Sequence, residues 1–329
     1  MTTGAPGAPA GRAETAGRRI AVLIPCLDEE RTIGAVVREF RAQLPGAAVY
    51  VYDNGSRDRT ADEARAAGAI VRREPRRGKG TVVRTMFREV DADAYVLVDG
   101  DGTYPADRVH DLLAPVLAGE ADMVNGSRLL SGAATGFRPG NLWANVGFVR
   151  ILNAIFDVRL TDLLSGYRAF NRITVKSLPL VSRGFEIETE LTLKAIERDL
   201  RIVEVPVALA ERPEGSHSKI VRFRDGKLIL GTILALFRDY KPLTLFGAMG
   251  VLFVLLGLVP GWIAVEGFLR TGLVLHFPSA ILAVGLVLTG VLLAFTGLVL
   301  HAVARRFQEH DRVMRGLLEA VERREHDDR

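Results

Sequence analysis

Two aspartates held apart by one glycine, Asp99-Gly100-Asp101, carry the clearest chemistry in this chain. Residues i and i+2 of an extended segment project to one side, so both carboxylates can face one hard cation. Mg2+ and Mn2+ take oxygen ligands and keep positions open for substrate phosphates. Such an ion, held by Asp99 and Asp101, neutralises a diphosphate leaving group and needs no transition-metal chemistry. Two further acidic clusters are Asp28-Glu29 and Asp53-Asn54-Gly55-Ser56. Gly78-Lys79-Gly80 is too short for a phosphate-cradling P-loop, yet it lets a lysine and backbone amides approach a phosphate. No G-x-G-x-x-G follows the first apolar run and no G-x-x-x-x-G-K-[ST] occurs, which disfavours a dinucleotide dehydrogenase and a P-loop ATPase.

These clusters need a scaffold that brings them to one edge. Short apolar runs at Arg19 to Pro25, Ala47 to Tyr52, Ala69 to Arg73 and Ala94 to Val98 read as strands. Helical patterns fill Glu30 to Gln43 and Lys79 to Val90. That alternation predicts βαβ crossovers and a mainly parallel sheet, with ligands beyond the C-terminal strand ends. The three acidic clusters fall there, after the first, second and fourth strands. The lone Cys26 forms no internal disulfide, and a reducing compartment follows. A formal charge of +4 lacks the dense basic face expected of a nucleic-acid binder.

After the sheet pattern the composition changes. Leu243 to Val265 has no charged residue, and Pro278 to Ala304 has only the titratable His301. At ~1.5 Å per residue each stretch covers the ~30 Å of a bilayer core, so two transmembrane helices are predicted, at about 243–265 and 279–303. Pro260 and Gly261 are expected to kink the first near its far end. Basic residues flank the pair outside (Arg222, Arg224, Lys227, Arg238 and Lys241 before, Arg305, Arg306, Arg312 and Arg315 after), while the connection holds only Arg270. The positive-inside bias therefore keeps the catalytic domain and both termini cytoplasmic, in an inner-membrane, multi-pass chain. Residues 1–17 read as a disordered tail, 18–220 as the catalytic domain and 221–241 as an amphipathic helix in the headgroup layer. The hairpin spans 242–304, and 305–329 form a charged tail.

Taken together, these stretches resemble the inverting glycosyltransferases of family 2, with the GT-A fold, and within them the polyprenyl-phosphate, dolichol-phosphate mannose synthase-like branch. The resemblance covers about Arg19 to Tyr240. It rests on the order and spacing of IPCLDEE (24–30), DNGSRDRT (53–60), GKG (78–80), DGDGTYP (99–105), GSR (126–128), TDLLSGYR (161–168) and RPEGSHSK (212–219). It implies that Pro25, Glu29 and Asp53 line the nucleoside pocket, with Lys79 on the donor as well. Asp99 and Asp101 hold metal and diphosphate, Arg128 sits near the donor phosphates, and Asp162 lies close to the sugar. Arg212, Ser216 and Lys219 hold the acceptor lipid's phosphate. Leu27 stands where the family often has an aromatic residue, and Asn54 where a second aspartate is common.

The implied reaction is an in-line, inverting transfer of a sugar from a UDP- or GDP-linked donor to a polyprenyl phosphate. The catalytic group is Asp101 with Asp162 and Arg128. A phosphate nucleophile is already ionised and needs no strong base. The expected partners are a nucleotide sugar, a polyprenyl phosphate lipid and the membrane, with no nucleic acid. A homo-oligomer, a tetramer, is expected through the membrane region. A processive or lipid-directed polysaccharide synthase of the same family and a non-catalytic membrane scaffold are the alternatives. Among the blander readings, Asp162 suits a cap on the turn before Ser165-Gly166. Glu186, Glu188 and Glu190, if helical, splay apart and suit a solvated surface. His217 reads as incidental, and Trp143 as a packing or interface residue rather than a sugar platform.

Overall fold

The structure is a computed structural model that describes residues 17–130, 147, 149–150, 152–153, 156, 158–184, 186–210, 238, 241–273 and 277–327. The tail at 1–16, the acceptor residues Arg212, Ser216 and Lys219, nearly all of the amphipathic segment at 221–241, His217 and Trp143 lie outside them. The chain divides into two compact units, Met1–Leu230 and Gly231–Arg329.

In the first unit the described strands form a seven-stranded sheet in the order β3-β2-β1-β4-β6-β5-β7. The strands are β1 (Ile20–Cys26), β2 (Ala48–Asp53), β3 (Ile70–Arg73), β4 (Ala94–Leu97), β5 (Met123–Ser127), β6 (Arg168–Asn171) and β7 (Ile202–Pro206). β3, β2, β1 and β4 run parallel, as the alternating pattern predicts. The crossovers are α1 (Ile33–Gln43), α2 (Thr60–Ala66) and α3 (Lys79–Glu89). Beyond β4 the sheet becomes mixed: β6 is antiparallel to both β4 and β5, and β7 pairs parallel with β5. α4 (Val109–Leu117), α5 (Arg172–Ser177) and α6 (Ile187–Glu197) are further helices of this unit.

Both faces of the sheet are covered, so strand residues alternate between two cores. Val22, Ile24, Val49 and Val51 join Ile33, Val37 and Phe40 on one face. Ala21, Leu23, Tyr52 and Tyr95 join Val83, Met86 and Leu191 on the other. Fully burying one such side chain contributes about 1.5–3 kcal/mol. The strand ends, and the loops that carry polar groups, are therefore fixed by two independent apolar layers.

The second unit is a helical hairpin, α7 (Pro242–Thr271) and α8 (Phe277–Asp327). Both contain segments long and apolar enough to cross a membrane, with mean hydropathy 2.3 and 2.4. α7 runs on through Pro260 and Gly261, and α8 continues past its apolar segment into the charged tail. The helices meet along small residues. A Cβ on Gly250 would lie 2.7 Å from the Gly290 carbonyl oxygen, and one on Gly290 would lie 2.6 Å from that of Gly250. Gly257 packs likewise on Ala283, and Gly297 on Phe246. In a bilayer, which offers no hydrophobic drive between helices, such close backbone approach would be what joins them.

Candidate active site

The polar clusters lie at the C-terminal ends of β1, β2 and β4. On the β1–β2 side the loops tie each other down through acids and backbone amides. Asp53 Oδ1 accepts from Ser56 N at 3.0 Å, and Asp28 Oδ1 accepts from Arg57 N at 2.7 Å. Ser56 Oγ accepts from Asp28 N at 2.9 Å, and Thr60 Oγ1 accepts from Glu29 N at 2.8 Å. Asp28 needs this support because its backbone is left-handed, with φ 51°. Pro25 and Glu29 are half-buried beside Asp53, which is 8% exposed.

Asn54 explains its own presence. Its Nδ2 donates to the carbonyls of Glu74 and Arg76, each at 2.9 Å, and its Oδ1 accepts from Gly78 N at 2.8 Å. An aspartate could not donate to those two carbonyls. The residue thus shapes the loop that leads into Lys79. Gly78 has φ 121°, and a Cβ there would collide with the Arg183 carbonyl, so the segment at 182–184 can pack directly on this turn. Gly80 N and Thr81 N donate to the carbonyls of Gly184 and Arg183 at 3.1 and 3.4 Å. These first amides of α3, expected to face a phosphate, instead fasten that segment.

Asp99 lies just beyond the end of β4, and Gly100 and Asp101 are in a turn, so strand alternation does not set the direction of the two carboxylates. Thr32 Oγ1 holds the Gly100 carbonyl at 2.7 Å. Asp101 Oδ1 accepts from Thr103 N at 3.1 Å and Thr103 Oγ1 at 2.7 Å. Lys79 Nζ pairs with Asp99 Oδ1 at 2.6 Å and with Glu188. Burial disfavours the Lys79 ammonium, but Asp99 and Glu188 outweigh it and hold the pKa above that of an ordinary lysine. Burial pushes the Glu188 carboxyl up, against the pull of Lys79.

Across β5, Arg128 and Asp162 form a two-pronged pair, Nε to Oδ2 at 2.7 Å and Nη2 to Oδ1 at 2.8 Å. Asp162 is fully buried and also accepts from Arg128 N at 3.1 Å and Leu164 N at 3.0 Å. The turn cap and the charged partner are therefore the same carboxylate. Burial disfavours the Arg128 charge, but Tyr104, Asp162 and Asp99 nearby hold the guanidinium pKa above its usual value. Behind the pair, Glu204 on β7 accepts from Thr161 N at 2.8 Å and Asp162 N at 3.2 Å. Arg168, fully buried, donates to the carbonyls of Leu163 and Ser165, each at 2.9 Å, and to Thr192 Oγ1 at 2.8 Å. Tyr104 Oη accepts from Gly166 N at 2.9 Å.

Lys79 and Asp99 therefore meet directly, as do Arg128 and Asp162, while Pro25, Glu29 and Asp53 occupy the neighbouring strand ends. The reading of Glu188 and Glu190 as a solvated surface is corrected: they are 5% and 2% exposed. The segment is a helix, α6, and Glu188 and Thr192 stand one turn apart on a buried face, toward Lys79 and Arg168. Glu190 accepts from Val181 N and Ser182 N and pairs with Lys194 at 2.9 Å. An acid four residues from a threonine, flanked by Ile187 and Leu191, was the available signal. Thr103, Glu204, Tyr104 and Arg168 also had no assigned role from sequence.

Asp99 and Asp101 offer hard carboxylate oxygens, and Asp99 already carries a cationic head. Among the described residues no three His, Cys, Asp or Glu side chains gather as a metal cage. That donor set fits Mg2+ or Mn2+, which take their remaining ligands from phosphates and water.

The profile of Glycosyl transferase family 2 matches residues 21–178. Glycosyltransferase AglJ of Haloferax volcanii is 34% identical over 284 residues, 84% of this chain and 91% of that protein. The dolichyl-phosphate hexose transferase of the same organism is 30% identical over 64% of this chain and 90% of its own length. Glucosyl-3-phosphoglycerate synthase from Mycobacterium tuberculosis, solved with Mn2+, uridine diphosphate and glucosyl-3-phosphoglycerate, superposes with a TM-score of 0.57 at 27% identity, over 71% of this chain and 86% of that one. A mixed, mostly parallel sheet with its acids and fixed cations at the strand ends, together with these likenesses, shows that the chain belongs to glycosyltransferase family 2 and is a glycosyltransferase of GT-A fold.

Proposed function

We propose that the enzyme moves a hexose from a nucleotide diphosphate to a polyprenyl phosphate, with inversion, at the cytoplasmic face of the membrane. The observation that carries this reading is the meeting of Lys79 with Asp99 near the Arg128–Asp162 pair, in a chain that also holds two apolar helices of membrane-spanning length. Pro25, Glu29 and Asp53 take the nucleoside. Asp99 and Asp101 hold Mg2+ or Mn2+, which when bound neutralises charge on the departing diphosphate. Arg128, kept in place by Asp162, and Lys79 add fixed positive charge on the same side. An oxygen of the acceptor phosphate attacks the anomeric carbon as the bond from that carbon to the diphosphate breaks. The attacking phosphate is already ionised, so no side chain has to take a proton.

Arg212, Ser216 and Lys219 are assigned to the acceptor phosphate, on the family pattern and on their place in the sequence ahead of the first apolar helix. The dolichyl-phosphate name of one relative supports a lipid acceptor, and the uridine diphosphate and Mn2+ of the solved neighbour support the donor and the ion. The test is transfer by the purified full chain in nanodiscs, offered a panel of UDP- and GDP-sugars with polyprenyl phosphate or 3-phosphoglycerate. A glycosylated lipid phosphate, lost with chelator, is expected. Transfer to phosphoglycerate alone would overturn the acceptor. Lys219→Ala should weaken use of the lipid while sparing donor affinity. For topology, a cysteine at Thr271 should be labelled only from the non-cytoplasmic side.

A further inference from the structure

Lys79 opens α3, and its Nζ reaches carboxylates from two other elements, Asp99 after β4 and Glu188 on α6. The lysine and Glu188 side chains are 12% and 7% exposed, while Asp99 retains 28%. The lysine has little room to retreat. Its turn is pinned by Asn54 to Gly78 N and by the Gly80 and Thr81 amides to the carbonyls of 183–184. A positive charge is thus fixed on an oxygen of an acid assigned to a divalent ion. Two cations on one carboxylate repel strongly in a partly dry site. An ion arriving at Asp99 has to displace Nζ, and Glu188 is the carboxylate that then remains to Lys79.

We propose that Lys79 is a built-in occupant of the cation site that competes with the divalent ion for Asp99, and that Glu188 is the positioning residue that keeps Lys79 beside the site once the ion has taken Asp99. This rests on the assignment of Asp99 and Asp101 as ion ligands. The consequence is ordered loading. The bare ion meets a site already neutralised in part, whereas a nucleotide diphosphate brings negative oxygens that attract both the ion and the displaced ammonium. Ion and nucleotide therefore bind with positive coupling.

The experiment measures Mn2+ binding to the purified full chain without nucleotide, by the loss of the free-ion electron paramagnetic resonance signal. Binding that Asp99→Asn removes defines the site. Lys79→Met should bind Mn2+ there about tenfold more tightly than wild type, the size of a typical coupling between sites. Glu188→Gln should bind it more weakly, since the displaced ammonium has lost its partner. Lys79→Met strands a buried Glu188, so the double variant Lys79→Met/Glu188→Gln keeps the comparison open. It should bind about tenfold more tightly than Glu188→Gln alone. Equal Mn2+ affinity with and without the lysine, in either background, overturns the competition. If instead wild type and Asp99→Asn bind Mn2+ alike, the ion assignment itself fails, and the two failures are distinct.

Discussion

On the β1–β2 side of the site, Asp28, Glu30, Asp53 and Asp58 are met by backbone amides, Asp28 and Glu30 from the facing loop, Asp53 from its own and Asp58 from both. Beyond β4, Asp162 and Glu188 are sealed from water and meet the side-chain cations Arg128 and Lys79. Amide dipoles hold an acid in place without cancelling its charge, so the first side stays an acceptor surface. Paired cations on the second side leave positive heads fixed in a partly dry place. The two sides suit the two ends of one ligand: a nucleoside rich in N–H and O–H donors, and a diphosphate that carries the negative charge.

The division breaks most sharply at the turn between the sides. Asp99→Asn or Asp101→Asn should lower turnover by at least about a hundredfold, the scale seen when a group stabilising transition-state charge is removed. EDTA should silence the wild type. Radiolabel transfer to lipid checks both, and full activity in excess EDTA would remove the ion from the account. Next in size is Asp162→Asn, which leaves the Arg128 guanidinium, 15% exposed, without its carboxylate. Breaking a buried pair in this way costs about 3–5 kcal/mol. The denaturation midpoint should fall together with activity. A variant with native stability would show that Arg128 finds compensation elsewhere.

Asp53→Ala probes the other side. A hydrogen bond to a charged group contributes about 1.5–3 kcal/mol, so donor affinity should fall roughly ten- to hundredfold. Calorimetry with the donor and Mn2+ reads this, and Mn2+ binding without nucleotide should stay as in wild type. A loss of both would mean that the sides do not divide the ligand as described.

The first side was the legible one, for a physical reason. Each of its strands ends in a polar cluster within a few residues, and its helices follow at once, so pattern and position coincide. The second side is built from pairs distant in sequence. Lys79 meets Glu188 across 109 residues, and Arg128 meets Asp162 across 34. β6 is four residues long with a buried arginine in it, so no hydrophobic alternation announced a strand inserted antiparallel between β4 and β5. Nor did charge count help with α6, because a glutamate looks the same in sequence whether solvated or paired. In the hairpin the apolar length is plain from the sequence, whereas the seam is not. Gly250 and Gly257, like Ala283, Gly290 and Gly297, recur every seventh residue, and only the close approach of two backbones gives that spacing meaning.

The smallest expected effect comes from an acid on the first side that behaves like those on the second. Glu74, 3% exposed, accepts from Arg76 Nε at 2.9 Å and Nη2 at 3.1 Å, and from Thr85 Oγ1 at 2.5 Å. Arg76, followed by Thr85, holds its carboxyl down at about 2, against the 4.5 of an unperturbed group. A depressed pKa means that the folded state binds the proton less readily than the unfolded chain does. The stability so contributed is complete above pH 4.5 and is lost as pH falls through about 2. Glu74→Gln keeps the shape and removes the charge. Urea midpoints should therefore separate the variant from wild type most at neutral pH, converge between pH 4.5 and 2, and coincide below that. Because Arg76 is 62% exposed, water screens the pair and the separation should be modest. A gap that does not change with pH would show that Glu74 acts through shape alone. The carboxylate would then be no exception to the amide-held acids around it.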